Sequence, residues 1–153
     1  MPGQFAPVFT PSAPTPLPQF SQAVVYNGLV YCSGNVGVKP GEGFDLVKGT
    51  AKDRTLVTRD VRDSGLICNA ILFSQRQIFT NIRAVLQAAG SNIDNIFKVN
   101  IFLTTMDDFS IVNEAYDEFF TQGTKPARTC VAVHQLPFGT DVEIECIAHL
   151  DKQ

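Results

Sequence analysis

Apolar positions along the chain recur with two spacings, and these divide it into strands and helices. From Ala23 the run AVVYNGLVYCSG is β-rich on either side of Asn27-Gly28, the pair that best tolerates the positive φ of a type I′ turn, so a hairpin is predicted there. Lys39, Pro40, Gly41, Glu42 and Gly43 then form a turn cluster, with a short strand expected over 45–48. Ile78, Ile82, Val85, Leu86 and Ala89 repeat on one face at the helical period, and Gly90 is placed to end that helix. Residues 96–103 alternate apolar with polar before becoming continuously apolar, which predicts a central strand covered on at least one face. Asp107 or Asp108 is expected to cap a second helix by accepting from its free N–H groups, and that helix carries the stripe Phe109, Val112, Tyr116, Phe119 and Phe120. The last third reads as two long strands, 127–136 and 141–150, joined as a hairpin through Pro137-Phe138-Gly139-Thr140.

The order ββ(β)αβαββ is an α+β pattern, with the helices on one face of a largely antiparallel or mixed sheet. Residues 1–18 stand apart. They hold six prolines, which cannot donate ladder hydrogen bonds and fix φ, so they are read as an extended arm leading into a single domain over 19–153.

Composition narrows the class of partner. A chain of 153 residues with 44% hydrophobic residues suits one globular domain. Its net charge of −3 leaves no basic excess for nucleic-acid phosphates or an anionic membrane, so a small molecule or a protein is the expected partner. Cys32, Cys68, Cys130 and Cys146 match neither a CxxC pair nor a disulfide framework and are expected to be reduced. No apolar run approaches the ~20 residues that span a bilayer, and the N-terminal stretch resembles neither a signal peptide nor a transit peptide. Cytoplasm is the expected compartment, with mitochondrial import left open.

Several familiar chemistries lack their residues. Gly34-Asn35-Val36-Gly37 has neither the lysine nor the following helix of a phosphate loop, and no GxSxG-type motif supplies an activated nucleophile. His134 and His149 lie on separate strands without partners at metal-ligand spacing, so no metal is expected. What remains is Arg128 on one terminal strand and Glu143 and Glu145 on the other, the two glutamates sharing a face by parity. They form either a cross-strand ion pair or a site in which Arg128 grips a substrate carboxylate beside an acid or base, Glu143.

The stretch KPARTCVAV through Leu136-Pro137 and VEIECIA resembles the C-terminal signature of the RidA (YjgF-type) family. Phe20-Ser21-Gln22-Ala23-Val24, Val30-Tyr31-Cys32-Ser33-Gly34-Asn35, the AVLQAAG helix ending and Asp108-Phe109 with Val112-Asn113-Glu114-Ala115-Tyr116 extend the resemblance along the chain. It implies a chorismate-mutase-like α+β fold assembled as a homotrimer with sites in the clefts between subunits. It implies cofactor-free hydrolysis of enamine and imine acids such as 2-aminoacrylate, 2-iminobutanoate and 2-iminopropanoate to 2-keto acids and ammonia. By the same resemblance Arg128 pairs with the substrate carboxylate, assisted by the Cys130 N–H, and Glu143 holds the attacking water and relays a proton. Ser33 and Gly34 line the pocket, and Asn113 sits near the subunit cleft. Some family members are instead holdases or regulatory binding proteins, and others are credited with RNA cleavage, a reading the acidic balance disfavours.

Two departures from the family pattern stand out. Phe20 occupies the place of a usual tyrosine, so the pocket phenol is missing, and Asn35 replaces a glutamine. Residues 56–75 form an apparent insertion, since joining Thr55 to Arg76 lets the family's first helix read straight through. A surface excursion, a partner-binding element and translated intron sequence are the alternatives for it, and a replacement helix start is expected within it.

Overall fold

The computed structural model describes residues 4–41, 46, 66–121 and 123–152, with 66–73 described by backbone alone. Six strands form one sheet: β1 Ala6–Val8, β2 Ala23–Tyr26, β3 Leu29–Asn35, β4 Ile96–Leu103, β5 Ala127–Ala132 and β6 Val142–His149. Helix α1, Leu66–Ala88, precedes β4, and α2, Phe109–Phe119, joins β4 to β5. The strand order is β1-β2-β3-β6-β4-β5, antiparallel throughout except for the parallel pair β4 and β5. This is the expected mixed, mainly antiparallel α+β fold.

The β2–β3 hairpin turns at Asn27 and Gly28, with φ of 51° and 76°, as a type I′ turn requires. Strand β4 runs over the residues expected of it. Helix α1 places Ile78, Phe79, Ile82, Val85 and Leu86 in the core, each at most 1% exposed. It ends at Gly90 (φ 79°), where Gly90 N donates to Gln87 O and Ser91 N to Leu86 O, satisfying two carbonyls that the last turn leaves open. A helix start is present within the apparent insertion, because α1 begins at Leu66. The rest of the insertion, 56–65, lies outside the described residues, as does the short strand over 45–48 except for Leu46, which bridges to Val38.

The expected terminal hairpin does not form. Strand β5 ends at Ala132 and pairs with β4 in parallel, while β6 lies on the other side of β4, between it and β3. A helix connects β4 to β5, and such a crossover returns the chain parallel to its first strand. The antiparallel β6 then fills the gap between β3 and β4, where Val142, Ile144, Cys146 and Ala148 face the helices and are buried. Alternation shows which side of a strand is apolar; it does not identify the neighbour.

Capping of α2 also differs from expectation. Asp108 precedes the helix with φ −84° and ψ −2°, already turned toward helix, and its side chain makes no capping bond. The extended residue is Thr105 (φ −150°, ψ 142°), and its hydroxyl accepts from Asp107 N across the 3-10 turn Met106–Asp108. Between α1 and α2 the Phe79 ring stacks on Phe119 at 4.6 Å and meets Phe120 and Tyr116 edge-on at 5.6 and 6.2 Å. Each such ring pair contributes about 0.5–1.5 kcal/mol beyond the area it buries.

The proline arm is docked. Its Ala6–Val8 segment pairs with β2, and the buried Gln22 side chain holds the stretch that follows. Gln22 Oε1 accepts from Thr10 N at 2.7 Å, while Nε2 donates to Thr10 O at 3.0 Å and Pro14 O at 2.8 Å. A segment whose prolines cannot supply donors is thereby held through its carbonyls.

Candidate active site

Glu143 and Glu145 project from the sheet face opposite the helices, as their parity predicts. They form the floor of a cleft of about 450 Å³. Its walls come from the arm at Pro14 to Leu17, from Phe20, from the end of β3 at Ser33, Gly34 and Asn35, and from the turn at Pro137 and Phe138. The β3–β6 register slips between Cys32 and Asn35, so the backbone at Ser33-Gly34 bulges where Glu143 approaches it. A Cβ on Gly34 would lie 1.8 Å from Glu143 Oε1, so the glutamate carboxyl rests in the space that only glycine leaves.

Ser33 Oγ donates to Ser21 O at 2.6 Å, leaving its lone pairs free to accept, and Asn35 Nδ2 donates to Ser33 O at 2.8 Å. Glu145 Oε1 accepts from Asn100 Nδ2 at 2.7 Å. Glu143 is half-buried and has no such donor among the described residues. Burial first, and the neighbouring Glu145 charge second, raise its pKa above the ordinary glutamate value. A carboxyl that holds its proton more tightly and is not tied to a cation suits proton transfer.

Arg128 lies elsewhere. It is opposite Val99 in the β4–β5 pair, whereas Glu143 is opposite Phe102 in the β4–β6 pair, so β4 separates them and they project from opposite faces. A cross-strand ion pair between them is thereby excluded within one chain. The guanidinium sits 4.8 Å from the Tyr116 ring centre and 5.3 Å from that of Phe109, both on α2, and forms no ion pair among the described residues. Cys130 shares Arg128's face with a free, half-buried thiol, and Asn113 lies on α2 between Phe109 and Tyr116 in sequence.

The candidate residues therefore fall into two groups. Phe20, Ser33, Gly34 and Glu143 share the cleft; Arg128 and Cys130 share a shelf at the β5 edge, and Asn113 lies on α2, whose Phe109 and Tyr116 rings face Arg128. Three participants were not anticipated from the sequence. Phe109 and Tyr116 were read as core stripe, and only their helical spacing hinted at a common face beneath Arg128. Phe138 was read as turn, although a large aromatic residue between Pro137 and Gly139 is itself an unusual choice. Among the described residues no cluster of His, Cys, Asp and Glu could hold a metal ion.

Comparison with known proteins places the chain. The family model described as Endoribonuclease L-PSP matches residues 10–150. The chain belongs to the RidA (YjgF-type) family. Among its RidA relatives, the mitochondrial protein mmf1 of Schizosaccharomyces pombe is 40% identical over 132 residues, covering 84% of this chain and 67% of that protein. A protein of Dermatophagoides farinae named 2-iminobutanoate/2-iminopropanoate deaminase is 35% identical over 144 residues, 94% of this chain and 95% of that one. The crystal structure of E. coli TdcF with bound serine is 28% identical with a TM-score of 0.76, covering 95% of this chain and 99% of that chain. The RidA fold is thus shown for this chain. No described helix is long and apolar enough to cross a membrane.

Proposed function

We propose that this chain hydrolyses 2-imino and 2-enamine acids to 2-keto acids and ammonia, as a homotrimer in which the cleft of one copy meets the Arg128 shelf of the next. The observation that carries the proposal is the separation of the two groups. Among the described residues Glu143 has an acid's environment but no cation beside it, and Arg128 has a platform but no anion, so a second copy would complete both. The deaminase name of the Dermatophagoides relative and the serine bound by TdcF, an amino acid with an α-carboxylate, support the same substrate class.

In this reading the planar Arg128 guanidinium takes the substrate carboxylate through two parallel hydrogen bonds, with the Cys130 N–H beside it and Asn113 at the rim. Protonated Glu143 gives its proton to the imine nitrogen, or to the terminal carbon of an enamine, which makes C2 electrophilic. The resulting carboxylate accepts a proton from water as the oxygen bonds to C2. Glu143 then gives that proton to the carbinolamine nitrogen and takes the hydroxyl proton as the C–N bond breaks and the C=O forms, releasing ammonia. One carboxyl serves each proton transfer in turn and no redox step is involved. Ser33 and Gly34 shape the wall behind Glu143, and Phe20 contributes a ring without a hydroxyl. Cytoplasmic residence, where the free thiols of Cys32, Cys130 and Cys146 stay reduced, is part of the proposal.

The test uses imine generated in situ by a dehydratase, with spontaneous decay subtracted. Wild type accelerates keto-acid release, and Arg128→Ala and Glu143→Gln each abolish the acceleration. Co-assembly of the two inactive variants in equal amounts restores about a quarter of the sites, because a site needs one group from each of two copies. A folded wild type without acceleration would overturn the reading in favour of a binding member, and trimers of mixed variants that stay inactive would overturn the shared site.

A further inference from the structure

We infer that the cleft selects 2-imino acids with a large, uncharged apolar side chain, a phenyl ring foremost, over imines with a methyl or ethyl side chain; this rests on the hydrolase reading above. The cleft's size is the first argument. A space of about 450 Å³ lies in the range that accommodates drug-sized ligands, whereas 2-iminopropanoate presents only a methyl group beyond its reacting atoms.

Wall chemistry is the second argument. Phe20, Phe138 and Leu17 line the cleft while remaining 47%, 46% and 38% exposed, and the only charged described residues on its walls are Glu143 and Glu145. With Arg128 taking the carboxylate on the shelf, the cleft receives the substrate's side chain. A cationic side chain would neutralise Glu143 and lower its affinity for a proton, and an anionic one would be repelled by both glutamates, so an uncharged group fits best. Phe20 sharpens this, because a phenyl ring in place of a phenol leaves no hydroxyl to be stranded by an apolar group.

The third argument is backbone strain. Phe138 adopts φ 56° and ψ 14°, the left-handed region that bulky residues avoid, and Gly139 follows with φ 68°. Glycine would adopt that conformation without steric cost, and asparagine at a smaller cost than phenylalanine. A phenylalanine there presents a ring to the cleft from a backbone that disfavours it, and strain of this kind concentrates at ligand clamps.

The experiment compares imines produced by an L-amino-acid oxidase from phenylalanine, leucine and alanine, using the wild-type homo-oligomer and subtracting spontaneous hydrolysis. The phenylalanine-derived imine is expected to show at least a tenfold higher kcat/KM than the alanine-derived one. Phe138→Gly, which suits the left-handed backbone, is expected to reduce that ratio tenfold or more, and Phe20→Ala to reduce it from the opposite wall. Equal or faster hydrolysis of the alanine-derived imine overturns the inference while leaving the hydrolase reading intact. A ratio unchanged in both variants overturns it as well. Hydrolysis of none of the three by a folded trimer overturns the hydrolase reading and this inference together.

Discussion

Gly34→Ala is a change of one methyl group that acts first on Glu143, which supplies the three atoms nearest the new Cβ. The new Cβ would sit 1.8 Å from Glu143 Oε1 and 2.8 Å from its Cδ. Carbon and oxygen atoms that are not bonded stay about 3.3 Å apart or more, so the carboxyl oxygen must withdraw by roughly 1.5 Å. The group that must move is the tip of a flexible side chain facing a cleft, so the fold absorbs the change for under about 1 kcal/mol. Catalysis does not absorb it, since displacement of a reacting group by about 1 Å costs on the order of 100-fold. The expected result is a kcat/KM about 100-fold below wild type, measured as keto-acid release, with thermal unfolding within a few degrees of wild type. Full activity in Gly34→Ala would refute the assignment of the proton to Glu143. A collapse of stability would refute the claim that a flexible side chain absorbs the clash.

Three further predictions concern stability. Glu143→Gln removes a carboxyl whose pKa is raised on folding, and a raised carboxyl stabilises the fold below its unfolded pKa and loses that contribution as pH rises through the folded value. The variant should therefore unfold at a higher temperature than wild type at pH 7, with the gap closing near pH 4, as scanning calorimetry across pH would show. Gln22→Leu strands the Thr10 N–H and the carbonyls of Thr10 and Pro14, costing about 1–3 kcal/mol in denaturant titration and loosening the arm, so that chymotrypsin cuts faster at Phe5 and Phe9, whose rings are already exposed. Gln75 is fully buried with neither carboxamide atom hydrogen-bonded among the described residues, so Gln75→Leu should raise stability by about 1–3 kcal/mol; a lower melting temperature would contradict this.

Element positions were largely legible in the sequence because burial imposes a period. Asn27-Gly28, the Ile78 to Ala89 face and the alternation from Val142 to Ala148 each carry their own physical cause. Pairing was not legible, because the terminal strands carry the same alternation whether β6 lies against β5 or against β3 and β4. The site divides in the same way. Arg128 and Glu143 stood out by elimination and then by resemblance, and parity placed Glu143 and Glu145 on one face, but the lodging of Arg128 and Glu143 on opposite sides of the sheet depends on the crossover through α2. The Gly34 contact was invisible for a related reason: the register slip that brings Glu143 onto it leaves no mark in composition or spacing. The arm's docking is local, since the Gln22 bonds run to carbonyls that every sequence has.

The two rims of the sheet are unlike. One ends in β1, a three-residue strand centred on Pro7, which has no N–H to offer a further strand; the other ends in β5, whose outer rim is uncovered by any described strand. Ribbon-like growth needs an addition point at both ends of each unit, and here one end is sealed by a proline. Copies that met rim to rim through β5 would stop at pairs, so even a copy whose β5 shelf has not yet met the cleft of its neighbour does not seed a fibre.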